Sequence, residues 1–322
     1  MTAIGVDSIG STPIACVTGA TGMIGRRLVG KLLTLGYQVR VLTRRPYVNQ
    51  QVRVFKGSLA DEAELNEFIC GADLVFNCAA ELSDESKMWT VNALGTALIT
   101  DLVDKHHIKY YCHLSSAGVV GRASQKFVDE DAPCQPQNRY EATKLDAEKF
   151  ASRRIEGCNT IILRPTNVVD CEHLGELSLP LDGSIRSQLK AFVKGGECAH
   201  IVHAEDVADA ALFFLERPPS PTPRLFFVSL DDDPLNTVSD LWSLFREMES
   251  GRKHSAATRL PHLPVIVPYA LRLLAGRPGN SGDVKYSSKR LISEGFRYTF
   301  GVRETVAKIV LERNIDINGY RC

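Results

Sequence analysis

The 322-residue sequence has no excess of either charge: Lys+Arg and Asp+Glu both number 38, so it lacks the field that draws a chain to nucleic acid or to an anionic membrane surface. It has no apolar run near the roughly 20 residues that a membrane-spanning helix needs. Residues 1–11 lack the basic start and long apolar centre of a secretory signal, so the expectation is a cytoplasmic protein with a loose N-terminal tail. No internal repeat or heptad run is present, which excludes solenoids and coiled coils. There are nine cysteines but no Cys-x-x-Cys pair, and several lie in apolar, strand-like runs; buried free thiols are expected rather than a disulfide framework or a zinc site. His106, His107 and His113 lack the spacing of metal ligands, and no metal is expected.

What is present begins with Thr18-Gly-Ala-Thr-Gly-Met-Ile-Gly25. An apolar run, Ile14 to Val17, precedes it, and helical spacing over Arg26 to Leu35 follows. A strand turning through glycines into a helix presents unpaired N–H groups to a phosphate. The Gly19-x-x-Gly22-x-x-Gly25 spacing is one residue longer in its first interval than the usual dinucleotide fingerprint. Strand-like runs then recur at Gln38 to Thr43, Val52 to Phe55, Leu74 to Ala80 and Tyr110 to Leu114, with helical text between them at Asp61 to Cys70 and Asn92 to His106. That alternation predicts a doubly wound α/β fold with a parallel sheet. The second strand ends in Thr43, Arg44 and Arg45 without an acid. Arginine there can hold the 2′-phosphate of NADP, where a carboxylate would take the ribose hydroxyls of NAD.

Ser116 follows the fifth strand, and Tyr140-Glu-Ala-Thr-Lys144 opens a helix. Tyrosine and lysine at i and i+4 share a helical face. A nearby ammonium favours the phenolate, so the phenol's pKa is expected to fall and Tyr140 to serve as an acid or base near neutrality. A hydroxyl such as that of Ser116 can polarise a substrate carbonyl.

With these motifs in order, the chain resembles the extended short-chain dehydrogenases/reductases, which include nucleotide-sugar epimerases and dehydratases, 3β-hydroxysteroid dehydrogenases and dihydroflavonol reductases. The matching stretches run from the glycine turn through Asn77-Cys-Ala-Ala80, Val91-Asn-Ala-Leu-Gly-Thr96, Leu114-Ser-Ser116, Tyr140-x-x-x-Lys144 and Leu163-Arg-Pro-Thr-Asn-Val168. Ile201-Val-His-Ala-Glu-Asp-Val-Ala208 and Tyr286 to Phe296 continue the match, which covers almost the whole chain. The resemblance implies Tyr140 as proton donor or base, Lys144 on the nicotinamide ribose, and Ser116 orienting the carbonyl, with its neighbour Ser115 as second choice. It implies a cofactor site from Gly19, Thr21, Gly22, Met23, Ile24 and Gly25 with Arg44, Arg45, Ser58 and Leu59, then Cys78, Ala79, Ala80, Asn92 and Leu114. Pro165 and Val168 would complete that site at the nicotinamide amide. Substrate contacts are expected from Glu81, Ser116, Asn167 and Arg277. Two departures stand out: Ser58 replaces an aspartate that many members place on the adenine, and Val120 replaces the tyrosine of their Val-Tyr-Gly.

The expected organisation is a Rossmann domain over 1–165 with returns from about 200–229, a smaller substrate lobe from 166–200 and 230–295, and a C-terminal helix over 296–322. The apolar stretch 260–275 would cap a substrate pocket or cover the lobe's core. The resemblance also implies a homodimer joined through the helices beginning near Asn92 and Tyr140, with Leu98, Leu102, Leu145 and Phe150 on the shared face. The reading is an NADP-dependent oxidoreductase that reduces a ketone or keto-sugar, with a small-molecule substrate and no nucleic-acid or membrane partner. An epimerase or dehydratase that retains NAD is the alternative. A non-catalytic NADP-sensing protein is disfavoured by the intact Tyr-x-x-x-Lys pair.

Overall fold

A strand buried on both faces requires an unbroken apolar run, and Ile14–Thr18 meets that requirement with four of its five residues buried. In the computed structural model, which describes residues 12–182, 184–250, 261–276 and 279–317, this is β1. There follow α1 (Met23–Thr34), β2 (Gln38–Thr43), β3 (Val52–Lys56), α2 (Glu62–Ile69), β4 (Leu74–Asn77), α3 (Glu85–Met88), a π-helical turn (Trp89–Leu94), α4 (Gly95–Lys105) and β5 (Tyr110–Leu114). Next come β6 (Phe127–Val128), α5 (Arg139–Ala151), β7 (Asn159–Pro165), β8 (Asn167–Val169), α6 (Ser178–Asp182), α7 (Ile185–Lys194), β9 (Ile201–His203) and α8 (Ala204–Phe213). The chain closes with β10 (Arg224–Val228), α9 (Val238–Ser250), α10 (Ile266–Leu274), β11 (Lys285–Tyr286), α11 (Lys289–Ser293) and α12 (Val302–Ile317).

Seven strands form one sheet in the order β10-β7-β5-β4-β1-β2-β3. Its pairs β2–β3, β1–β2, β1–β4, β4–β5 and β5–β7 are all parallel. The order reverses at β1, so the crevice beyond the carboxyl ends of β1 and β4 is the ligand-binding position of such a sheet. The doubly wound α/β expectation is met. α1 turns Leu28, Val29 and Leu32 to the sheet at helical spacing and stops where Gly36 takes φ +85°, its N–H bonding back to Leu33. No helix among the described residues is long and apolar enough to cross a membrane.

The chain divides into two compact units. The first comprises residues up to 119, with 138–164 and 207–226, and its core joins Leu65, Phe68, Ile99, Val103, Ile108 and Tyr111. The second comprises 120–137, 165–206 and the chain from 227 on, so the stretch 120–137, expected within the domain over 1–165, clusters here. α9 and α12 share its core through Leu241, Leu244, Phe245, Val302, Val306 and Ile309, so the C-terminal helix is part of this unit's interior.

Two local expectations change. The helix expected from Asn92 starts earlier, because Asp84 caps α3 by accepting the Ser86 N–H, and it passes through the π turn before α4. Leu102, expected on the dimer face, is buried in the first unit's core.

Candidate active site

The glycine turn is shaped by close approach. Gly19 takes φ +67°, and a Cβ there would lie 2.7 Å from the Ala79 nitrogen and the Cys78 carbonyl carbon. The turn after β1 and the loop after β4 therefore touch along their backbones, which requires the small residues Cys78, Ala79 and Ala80. A Cβ on Gly25 would lie 2.2 Å from the Gly19 carbonyl oxygen, so only glycine lets α1 begin against this turn. Thr18 fastens the two loops: its hydroxyl donates to Asn77 Oδ1 at 2.8 Å and accepts the Ala79 N–H at 3.2 Å. α1 has Gly22 as its N-cap, with no side-chain cap and no acid in its first turn, so the N–H groups of Met23, Ile24 and Gly25 face outward for an anion. Thr21 is exposed at the rim, while Ser58 caps its own turn by accepting the Ala60 N–H. Leu59 is buried against Gly95, where a Cβ would meet its side chain at 2.5 Å.

Ser116 leaves the end of β5 half-buried, its Oγ accepting the Gly118 N–H at 3.1 Å, whereas Ser115 is buried. α5 is capped by Asn138, which accepts the Glu141 N–H at 2.9 Å and fixes the helical phase of Tyr140 and Lys144. Burial pushes the Tyr140 pKa above the usual tyrosine value; the neighbouring Ser116 hydroxyl opposes this and the Glu141 carboxylate adds to it. The expected lowering by Lys144 is therefore not what the structure gives. The Lys144 ammonium is instead buried and donates to the Leu114 carbonyl oxygen. Burial lowers the Lys144 pKa to about 8, against the opposing pull of Glu148. Glu148 is itself held by the buried Arg164 guanidinium at 2.9 and 2.7 Å.

At the end of β2, Thr43 Oγ1 accepts the Arg45 N–H at 3.1 Å, while the Arg44 side chain is largely exposed. Arg44 lies 3.9 Å from the carboxylate of Glu81, which the sequence had placed among substrate contacts. That carboxylate accepts the N–H groups of Ser83 and Asp84, which hold its pKa below the usual range. Asn92, on the π turn, accepts the Glu81 N–H at 2.7 Å and donates to the Glu81 carbonyl and Thr143 Oγ1. It ties the loop after β4 to α5, and π turns recur at such sites.

Sequence reasoning missed the buried polar set behind this loop. Asn77 Nδ2 donates to Thr96 Oγ1 at 3.1 Å and lies 3.2 Å from His113 Nδ1. Burial, reinforced by the Lys144 charge, holds His113 well below its ordinary pKa, so the neutral ring accepts at Nδ1. An asparagine ending an otherwise apolar strand was the available signal.

In the second unit, Pro165 ends β7 and Val168 lies in β8. Asn167 donates from Nδ2 to the Ala199 carbonyl at 2.9 Å. Arg277 lies outside the described residues.

The first unit thus fits a dinucleotide: a cradle that any Cβ would fill, free helix N–H groups, an exposed guanidinium at the end of β2, and a hydroxyl pair beside a buried lysine. The family described as NAD dependent epimerase/dehydratase matches residues 15–228. A 4-hydroxy-2-methyl-3-oxo-4-farnesyl-3,4-dihydroquinoline-1-oxide ketoreductase of Stigmatella aurantiaca is 29% identical over 217 residues, 63% of this chain and 64% of that protein. A dTDP-glucose 4,6-dehydratase of Streptomyces niveus is 25% identical over 190 residues, 51% of this chain and 56% of that protein. The chain therefore spans about half to two thirds of the length of these curated relatives. Among solved structures, a short-chain dehydrogenase/reductase superfamily protein from Agrobacterium tumefaciens with bound NAD shares the fold at a TM-score of 0.73 and 21% identity, covering 94% of this chain and 98% of that one. With the family matched across most of the sheet and its glycine turn, the chain belongs to the NAD dependent epimerase/dehydratase family of the extended short-chain dehydrogenases/reductases.

Proposed function

We propose that this chain is an NADP-dependent oxidoreductase that reduces a ketone or keto-sugar, with Tyr140 as proton donor. The observation that carries the reading is the half-buried Ser116 at the end of β5 together with Tyr140 and Lys144 one turn apart on α5, whose phase Asn138 fixes. A bound nicotinamide would supply the hydride to the carbonyl carbon. Ser116 donates a hydrogen bond to the carbonyl oxygen, and Tyr140 Oη gives that oxygen its proton as negative charge develops there. Lys144 is assigned to the nicotinamide ribose and to electrostatic support of the phenolate left behind. Gly19, Gly22, Met23, Ile24 and Gly25 hold the pyrophosphate, and Arg44 with Arg45 holds the 2′-phosphate. The protein works in the cytoplasm as a homodimer. Its shared face is built from the exposed Trp89, Leu94 and Phe150 and the half-buried Leu98 and Leu145.

A second reading, an epimerase or dehydratase that retains NAD, draws support from Glu81, whose carboxylate sits beside Arg44 and weakens its pull on a phosphate. Titration of NADPH and NADH at one ionic strength separates the two. A charge-assisted contact contributes roughly 1.5–3 kcal/mol, so the expected preference for NADPH is about tenfold to a hundredfold. Thr43→Asp combined with Arg44→Asn is expected to reverse it, since the aspartate adds an acceptor for the ribose hydroxyls. Equal affinities in the wild type, or NAD and a nucleotide sugar retained in native mass spectrometry, would overturn the NADP-reductase reading.

A further inference from the structure

We infer that Cys198, His200 and Asp231, in the second unit, form a binding site for a divalent cation of the zinc class. Their Sγ, ring nitrogen and carboxylate oxygen all lie within 4.8 Å of one another. Asp231 is fully buried. Its Oδ2 accepts the Tyr286 N–H at 2.9 Å and lies 2.6 Å from His200 Nδ1, while its Oδ1 has no hydrogen-bond partner among the described residues. A buried carboxylate oxygen left without a donor is costly, and a cation is one way to satisfy it. The mixed sulfur, nitrogen and oxygen set suits zinc or cobalt, not calcium or magnesium, which prefer oxygen alone.

The backbone beneath these side chains is unusual and firmly held. His200 is one of two non-glycine residues with positive φ among the described residues, at +57°. Such strain, where it persists, points to a function that the surroundings enforce. Here those surroundings are specific: the Cys198 N–H donates to the Gly282 carbonyl at 2.6 Å, the Ala199 N–H to the Asn236 carbonyl at 3.0 Å, and the Asn167 N–H to the His200 carbonyl at 2.8 Å. The Ile201 N–H donates to Asn236 Oδ1 at 3.1 Å. The His200 ring packs edge-on against Tyr286, 5.4 Å between centroids. The three donors are thus presented from a fixed frame. On binding, His200 Nδ1 and the Cys198 thiol each give up a proton to solvent, and the ion is held by Nδ1, Sγ and the Asp231 carboxylate, whose Oδ1 gains the partner it lacked. Three protein donors leave a fourth position for water or a substrate oxygen, as in zinc sites that act on a ligand.

The test is cobalt(II) titration of the full-length protein after chelator treatment. Saturation at a single equivalent is expected, with a thiolate-to-cobalt charge-transfer band in the near ultraviolet and tetrahedral d–d bands in the visible. Cys198→Ser is expected to abolish the charge-transfer band with an unchanged melting profile, and His200→Gln to weaken binding by at least about tenfold. Zinc is also expected to protect Cys198 from iodoacetamide in peptide mapping, while the exposed Cys70 continues to react. Should Cys198→Ser fail to fold, zinc protection of the wild-type thiol decides alone. Absence of the charge-transfer band, its survival in Cys198→Ser, or alkylation of Cys198 at the same rate with and without zinc would overturn the site.

Discussion

Burial moves the Tyr140 phenol further above neutrality, because it disfavours the phenolate more than the neighbouring Ser116 hydroxyl favours it. Tyr140→Phe removes only the hydroxyl, so turnover is expected to vanish while cofactor affinity stays within a few fold; near-wild-type kcat on an identified substrate would refute the assignment. Lys144 moves the other way, from 10.5 to about 8, because its ammonium is buried. Between those two values the unfolded chain holds a proton that the folded chain releases, so stability rises with pH across that window and the full cost applies below it. That cost is at most roughly 3 kcal/mol. Lys144→Met is therefore expected to lose turnover and cofactor affinity yet to be more stable than wild type at pH 7. In urea unfolding, the gap should close between pH 8 and 10.5; a gap that does not change with pH would show that burial of the charge is not the cause. The i, i+4 spacing made this pair legible in the sequence, but the direction of each pKa was not. Spacing predicts that two groups share a face, whereas burial depends on what the sheet and neighbouring helices place over them.

The glycine turn and α1 were legible almost in full. Gly22 and Gly25 answer the close packing of the turn itself, Gly19 also answers the approach of Cys78 and Ala79, and the apolar residues of α1 recur at helical spacing. Gly25→Ala is expected to force α1 away from the Gly19 carbonyl, destabilising the fold by roughly 1–3 kcal/mol and abolishing NADPH binding. Thermal melting and cofactor titration of the variant check this, and unchanged affinity would mean that the turn accommodates a methyl group. The segment before α4 was less legible. Asp84 caps α3, ahead of the helix expected from Asn92, and the π turn that follows has Asn92 bonded to Glu81 and Thr143. Those partners are far away in sequence, and no local period announces them.

For the molecule as a whole, the exposed apolar positions Trp89, Leu94 and Phe150 carry the proposed dimer. Leu94→Glu combined with Phe150→Glu is expected to give monomers in sedimentation at micromolar concentration, where the wild type sediments as a dimer. A monomeric wild type would remove the proposal outright. The sequence by itself determined the doubly wound sheet, the order of its motifs and the shared helical face of Tyr140 and Lys144, because periodicity, turn residues and i, i+4 spacing are short-range consequences of backbone geometry. Only the tertiary structure decided that Glu81 faces Arg44, that Leu102 belongs to a core and that residues 120–137 cluster with the second unit. It alone brought Asp231 to Cys198 and His200. Each of these depends on contacts between residues distant along the chain, and such contacts leave no local pattern to read.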